Sequence, residues 1–89
     1  SDLKNAEWLS GDFIQLVKLK IFGESYGKIL SLAVDIADNS KIKIVDAKKV
    51  NKGNTEGLYI EIEIKEIQQL NAFEAKIKSS KFIDTVKYV

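Results

Sequence analysis

Cysteine, histidine, arginine and methionine are all absent from the 89 residues. Each absence removes a class of chemistry. Without cysteine there is no disulfide scaffold, no thiolate zinc site and no redox pair. Without histidine the chain lacks the usual general base near neutral pH and the commonest metal ligand. All 14 basic residues are lysine, so no guanidinium fork can clamp a phosphate or a carboxylate. The net charge is only +1, which excludes a strongly basic nucleic-acid binder on bulk electrostatics. The longest apolar run, Ile29 to Ala37, is broken by Asp35 and falls far short of the ~20 residues of a membrane span. No signal peptide opens the chain, so a cytoplasmic location and no membrane partner are expected. With no methionine anywhere, the sequence reads as a domain cut from a longer protein or a processed chain. The alternative is a small protein that has lost its start residue.

What remains is ordinary globular composition: 45% apolar and 30% charged residues in 10.0 kDa. A chain this short holds one core, burying about 60–65% of the surface its unfolded form exposes. One domain over 1–89 is expected, with 1–5 as an extension and 6–89 folded. Ala6 to Trp8 is a short apolar opening, and Ser10–Gly11–Asp12 is a turn signal. Phe13 to Phe22 reads as a strand: Val17, Leu19 and Ile21 share one face, Lys18 and Lys20 the other. Its start is apolar on both faces (Phe13, Ile14, Leu16), and Trp8 is expected to cover it.

From Tyr26 to Asn39 the period becomes helical. Ile29, Ala33, Ile36 and Ala37 form a stripe widened by Leu30 and Val34, with Ser25 as N-cap and Asp38–Asn39–Ser40 as the stop. Ile42 to Val50 is a second, basic strand. The stretch 51–57 is a polar hairpin loop. Leu58 to Lys65 alternates cleanly, with Leu58, Ile60, Ile62 and Ile64 facing one way and Tyr59, Glu61 and Glu63 the other. Ile67 to Ser80 is a second helix with Leu70, Phe73 or Ala75, and Ile77 on its stripe. Phe82 to Val89 is a last strand. The order β-α-β-β-α-β predicts an α+β ferredoxin-like sandwich: a four-stranded antiparallel sheet with both helices on one face, preceded by a short N-terminal strand.

That scaffold serves many functions, so function must come from sites. A heavy-metal chaperone would need a Cys-x-x-Cys pair, and an acylphosphatase-like enzyme an arginine; neither is present. An RNA-recognition surface needs aromatics on the third strand, where only Tyr59 stands, followed by Glu61 and Glu63. Those two carboxylates read as a solvated face or interface rim rather than a metal pair, since no histidine or third acid joins them. No serine or threonine has a histidine to activate it, so no catalytic residue, no metal and no cofactor are expected.

The turn from Phe22 to Leu30, with Gly23, Glu24, Ser25, Tyr26 and Gly27 between strand and helix, resembles the strand-turn-helix signature of ACT domains. The whole chain is similar to the C-terminal ACT domain of the RelA/SpoT-type (p)ppGpp synthetase/hydrolase (GTP pyrophosphokinase) family. The short strand ending in Trp8, the long strand into the glycine turn, the helix Leu70 to Ile77 and the strand Phe82 to Lys87 carry the likeness over roughly residues 5 to 89. The chain departs from the family where Glu24 and Ser25 replace an Asp-Arg pair and where it ends Lys87–Tyr88–Val89 without arginine.

The resemblance implies a non-catalytic regulatory domain that relays amino-acid or ribosome status to a distant catalytic region in the stringent response. Its partners would be other domains of the parent enzyme, a second copy in a homodimer, ribosomal RNA or a small amino acid. An amino-acid site would use Glu24, Ser25, Tyr26 and Gly27, with Lys43 at the start of the second strand. Free amides at the helix start would hold a carboxylate, and Glu24 would meet an ammonium. The structural alternative is a tight connection in which Gly27 only permits close helix–sheet packing. Lys41, Lys43, Lys48, Lys49 and Lys52 against Asp46 give the 41–52 segment a local charge of +4. It reads either as an RNA contact, in which Lys41, Lys48, Lys49 and Lys52 would take part, or as an edge strand blunted by lysines against aggregation. Two other functions stay open: an amino-acid-binding ACT domain of a biosynthetic enzyme, and an RNA-binding βαββαβ module.

Overall fold

The structure, a computed structural model, describes residues 14–89. The Ala6–Trp8 strand, the Ser10–Asp12 turn and the cover expected from Trp8 lie outside the described residues. Six elements follow in order: β1 (Gln15–Gly23), α1 (Tyr26–Asn39), β2 (Lys43–Lys52), β3 (Thr55–Ile64), α2 (Ile67–Lys78) and β4 (Ile83–Tyr88). The strands form one sheet in the order β2-β3-β1-β4, every neighbouring pair antiparallel. Both helices pack on the same face, the ferredoxin-like arrangement.

The sheet's two faces follow from side-chain alternation. On β3, Leu58, Ile60, Ile62 and Ile64 are fully buried against the helices, and Leu19 and Ile21 join them from β1. Each buried aliphatic side chain contributes about 1.5–3 kcal/mol of transfer free energy, so the two central strands carry most of the sheet's share of the core. From above come Ile29, Ala33, Ile36 and Ala37 of α1, and Leu70, Phe73 and Ile77 of α2. Two details of the stripes differ from the sequence pattern. Val34 is 44% exposed, because the α1 stripe turns away from it, and Phe73 rather than Ala75 fills the α2 position.

Helix ends are locally determined. Ser25 is extended (φ −156°), and its Oγ accepts the Lys28 N–H at 3.3 Å. At the far end the Ile42 N–H donates to the Ala37 carbonyl (2.8 Å) and the Lys41 N–H to the Asp38 carbonyl (3.3 Å), a Schellman pattern. Lys41 takes the left-handed position usually held by glycine, with φ +58°.

The largest departure from expectation is the β2–β3 connection. The polar stretch 51–57 is not a loop: the ladder runs from Asn51↔Glu56 to Lys52↔Thr55, leaving only Gly53–Asn54 as the turn. Gly53 has φ +63°, and Asn54 stays at negative φ, the pattern of a II′ hairpin. Strand pairing overrides the turn-like composition here. β2 also carries a bulge between Ile44 and Asp46, which explains its poor alternation in sequence. No helix among the described residues is long and apolar enough to cross a membrane.

Candidate functional site

The β1–α1 turn is built by a close approach. Gly23 ends β1 so near the segment before β4 that a Cβ there would meet the Phe82 carbonyl oxygen at 2.2 Å. The next amide, Glu24 N–H, donates to that same oxygen at 2.8 Å. Gly23 is therefore the glycine that packing requires. Gly27 is not: a Cβ there would have open space around it, so the packing role expected for it is corrected.

At the start of α1 the free amides are largely taken. Ser25 accepts from Lys28 N–H, and the Tyr26 N–H donates to Glu56 Oε1 at 2.7 Å. Glu56 reaches the helix because β3 places it opposite Gly23. Lys49 adds an ion pair with Glu56 at 3.5 Å. The Tyr26 amide, and then the Lys49 charge, hold the Glu56 carboxyl below its ordinary 4.5. A resident carboxylate thus occupies the place where the carboxylate of a bound amino acid was expected. Glu24 is likewise engaged, in an ion pair with Lys28, whose ammonium also stands 6.0 Å from the Phe82 ring centre. Sequence reasoning missed Glu56, which sits in a stretch with loop composition; only the β1–β3 register reveals it.

Lys43 is not part of this cluster. It pairs with Glu63, seven residues along β3 from Glu56, which is roughly 24 Å of strand. The turn of Glu24, Ser25, Tyr26 and Gly27 and the start of β2 lie at opposite ends of the sheet within one chain.

The basic segment is also divided. β2 is an edge strand, as the order requires. Lys41 lies in the turn before it. Lys49 stands on the helix side with Glu56, whereas Lys43, Lys48 and Lys52 alternate onto the open face. Lys48 pairs with Asp46 at 3.7 Å and stands 5.9 Å from the Tyr59 ring centre. Strand alternation splits the +4 run between two faces, so the five lysines make no single patch.

The open face instead has its own order. Phe22 lies on it yet is only 8% exposed, because its ring covers Gly57, where a Cβ would stand 2.5 Å from the ring. The Tyr59 hydroxyl donates to Glu61 at 2.8 Å, which pushes the phenol up. Toward the start of β1, Ile14 and Leu16 are each 51% exposed. On the helix side, the Tyr88 hydroxyl of β4 donates to Glu74 of α2 at 2.7 Å, and Lys78 pairs with Glu74 at 2.8 Å. Burial and then that carboxylate push the Tyr88 phenol up to about 12.

No protein-family model and no curated protein matches the sequence. Solved structures do match. The crystal structure of the ACT domain from GTP pyrophosphokinase of Chlorobium tepidum superposes with a TM-score of 0.70 at 16% identity, covering 86% of this chain and 100% of that one. A homoserine dehydrogenase from Thiobacillus denitrificans gives 0.70 at 16% identity over 86% of this chain, which spans 17% of the enzyme. The C-terminal domain of the MgtC protein from Mycobacterium tuberculosis gives 0.71 at 10% identity, covering 88% of each chain. With its β2-β3-β1-β4 sheet and both helices on one face, the chain has the fold of an ACT domain.

Proposed function

We propose that this chain is a non-catalytic regulatory ACT domain of a cytoplasmic GTP pyrophosphokinase. In this reading it relays amino-acid or ribosome status to the region that transfers pyrophosphate from ATP to GTP. The observation that carries the reading is the superposition on the whole of the Chlorobium tepidum ACT domain. The residues fit a domain that does no chemistry itself: there is no histidine or cysteine, and Glu56, Glu61 and Glu74 are engaged by a backbone amide, lysines and tyrosines. A regulatory domain of this kind works by biasing two arrangements of its parent through differential contacts. With the Tyr26 amide already bonded to Glu56, those contacts are made with protein or nucleic-acid surfaces rather than with a free amino acid. Self-association into a homodimer, through the open face or a sheet edge, completes the reading.

The test uses the full-length protein that carries this chain. ATP:GTP pyrophosphate transfer is measured with residues 14–89 present and deleted. Activity that persists on deletion but no longer responds to uncharged tRNA and ribosomes is the expected result. A full-length protein with no such transferase activity overturns the assignment of the parent.

The homoserine dehydrogenase likeness favours a second reading, an amino-acid-sensing domain of a biosynthetic enzyme. Calorimetric titration with a panel of amino acids separates the two. Saturable binding that disappears in Gly27→Val supports sensing; no heat with any amino acid supports the first reading.

A further inference from the structure

The sheet has two edges, and they are guarded unequally. A free edge offers unpaired amides and carbonyls to any strand, and proteins blunt it with lysines and bulges. β2 has both devices: Lys43, Lys48, Lys49 and Lys52 stand on it, and it bulges between Ile44 and Asp46. β4 carries one lysine, Lys87, and beyond its irregularity beside Gly23 the ladder from Thr85 to Tyr88 is regular. The Val89 N–H donates to the Lys18 carbonyl of β1 at 3.0 Å. Backbone groups alternate along an antiparallel strand, so Thr85 and Lys87 also bond toward β1, while Val86 and Tyr88 turn their amides and carbonyls outward. Among the described residues no strand lies on that side. A groove of about 410 Å³ is lined there by Lys78 of α2 and by residues 83–87. Tyr88 and Val89, at the end of the strand, are 54% and 66% exposed, more than any other large hydrophobic side chain among the described residues.

We infer that β4 is the strand through which two copies of this chain pair, antiparallel and about a two-fold axis at Val86. The two sheets then join into one continuous sheet, with four strands from each copy. The inference rests on the homodimer proposed above and names its surface. A two-fold interface must suit itself, because each residue meets the same patch turned around. With the axis at Val86, that valine faces its own copy, Tyr88 faces Asp84 of the second copy, and Lys87 faces Thr85 of the second copy. The outward amides of Val86 and Tyr88 gain partners, and both charges of the strand stand opposite uncharged residues. Other registers serve less well. An axis at Lys87 would set that lysine against its own copy, and like charges directly opposite destabilise a sheet. An axis at Thr85 would carry Tyr88 past the start of the strand to Phe82. It is this self-matching of charge and register that favours a second copy over an unrelated strand.

The test is sedimentation of the 89-residue chain over a concentration series, with amide hydrogen exchange as the residue-level readout. The expected result is a monomer–dimer equilibrium. Thr85→Lys sets a lysine opposite Lys87 of the second copy, twice per dimer, and should weaken association about tenfold or more. Thr85→Lys/Lys87→Glu places opposite charges across the same contact and should restore the dimer, which separates a lost contact from a lost fold. The Val86 and Tyr88 amides should be protected in the dimer and exchange freely in Thr85→Lys, while the Thr85 and Lys87 amides stay protected in both. Val45→Lys on the β2 edge and Leu16→Lys on the open face should associate as the wild type does. A wild-type chain that stays monomeric at millimolar concentration overturns the homodimer and this interface together. A dimer that survives Thr85→Lys, or that is lost in Val45→Lys or Leu16→Lys, leaves the homodimer standing and overturns β4 as its surface.

Discussion

Gly23 and Gly27 are four residues apart and carry opposite burdens. Gly23 touches the Phe82 carbonyl, so Gly23→Ala must push two backbone segments apart. It should lose about 1–3 kcal/mol in denaturant unfolding. Gly27 sits in the first turn of α1 with open space around it. Gly27→Ala should gain about 0.5–1 kcal/mol by lowering the entropy of the unfolded chain. Equal effects at the two positions would contradict the geometry of the turn. Lys41 offers the reverse experiment. It holds a left-handed conformation at the end of α1, so Lys41→Gly should stabilise by about 1 kcal/mol, read as a higher urea midpoint at unchanged m-value. In the sequence both glycines look like turn residues, and Lys41 looks like one more basic residue; the distinction needs the neighbouring chain.

Between elements, two carboxylates act as ties. Glu56 joins the β2–β3 hairpin to the start of α1, and Glu74 joins α2 to β4. Both are held below their ordinary 4.5, Glu56 first by the Tyr26 amide and Glu74 first by Lys78. A carboxyl depressed in the folded state contributes stability that is present above its unfolded value and is lost as pH falls through its folded value. The thermal midpoint should therefore drop as pH falls below 4.5. Glu56→Gln/Glu74→Gln should start lower at pH 7 and drop less between pH 5 and pH 3. A double variant with the wild-type pH profile would show that the two ties do not act. Alternation in β3 and the helical stripes were legible because each is a local pattern with a period of its own. The hairpin stem was not: Asn51, Lys52, Thr55 and Glu56 have loop composition, and only pairing across the sheet makes them strand.

At the scale of the whole fold, the described residues form one layer of helices on one sheet, so stability concentrates in the central strands. Ile62 is fully buried beneath the helices, and Ile62→Ala should cost about 2–5 kcal/mol, a large part of a small domain's total. Thr85→Ala, on the exposed side of β4, should change the unfolding free energy by less than about 0.5 kcal/mol. Among the described residues, the same one-sided layering leaves the other face of the sheet free of helices.

The sequence by itself determined the element order, the core-facing residues of β3 and the stop of α1, because these depend on periods and caps within a few residues. It also determined what chemistry is missing. Tertiary structure decided the rest. It set Lys43 far from the β1–α1 turn, placed Glu56 on the Tyr26 amide and divided the lysines of β2 between two faces. Each of these depends on which residue of one strand stands opposite which residue of another. Register between distant strands is a property of the assembled sheet, and a single residue of slip would send every one of these side chains to the other face.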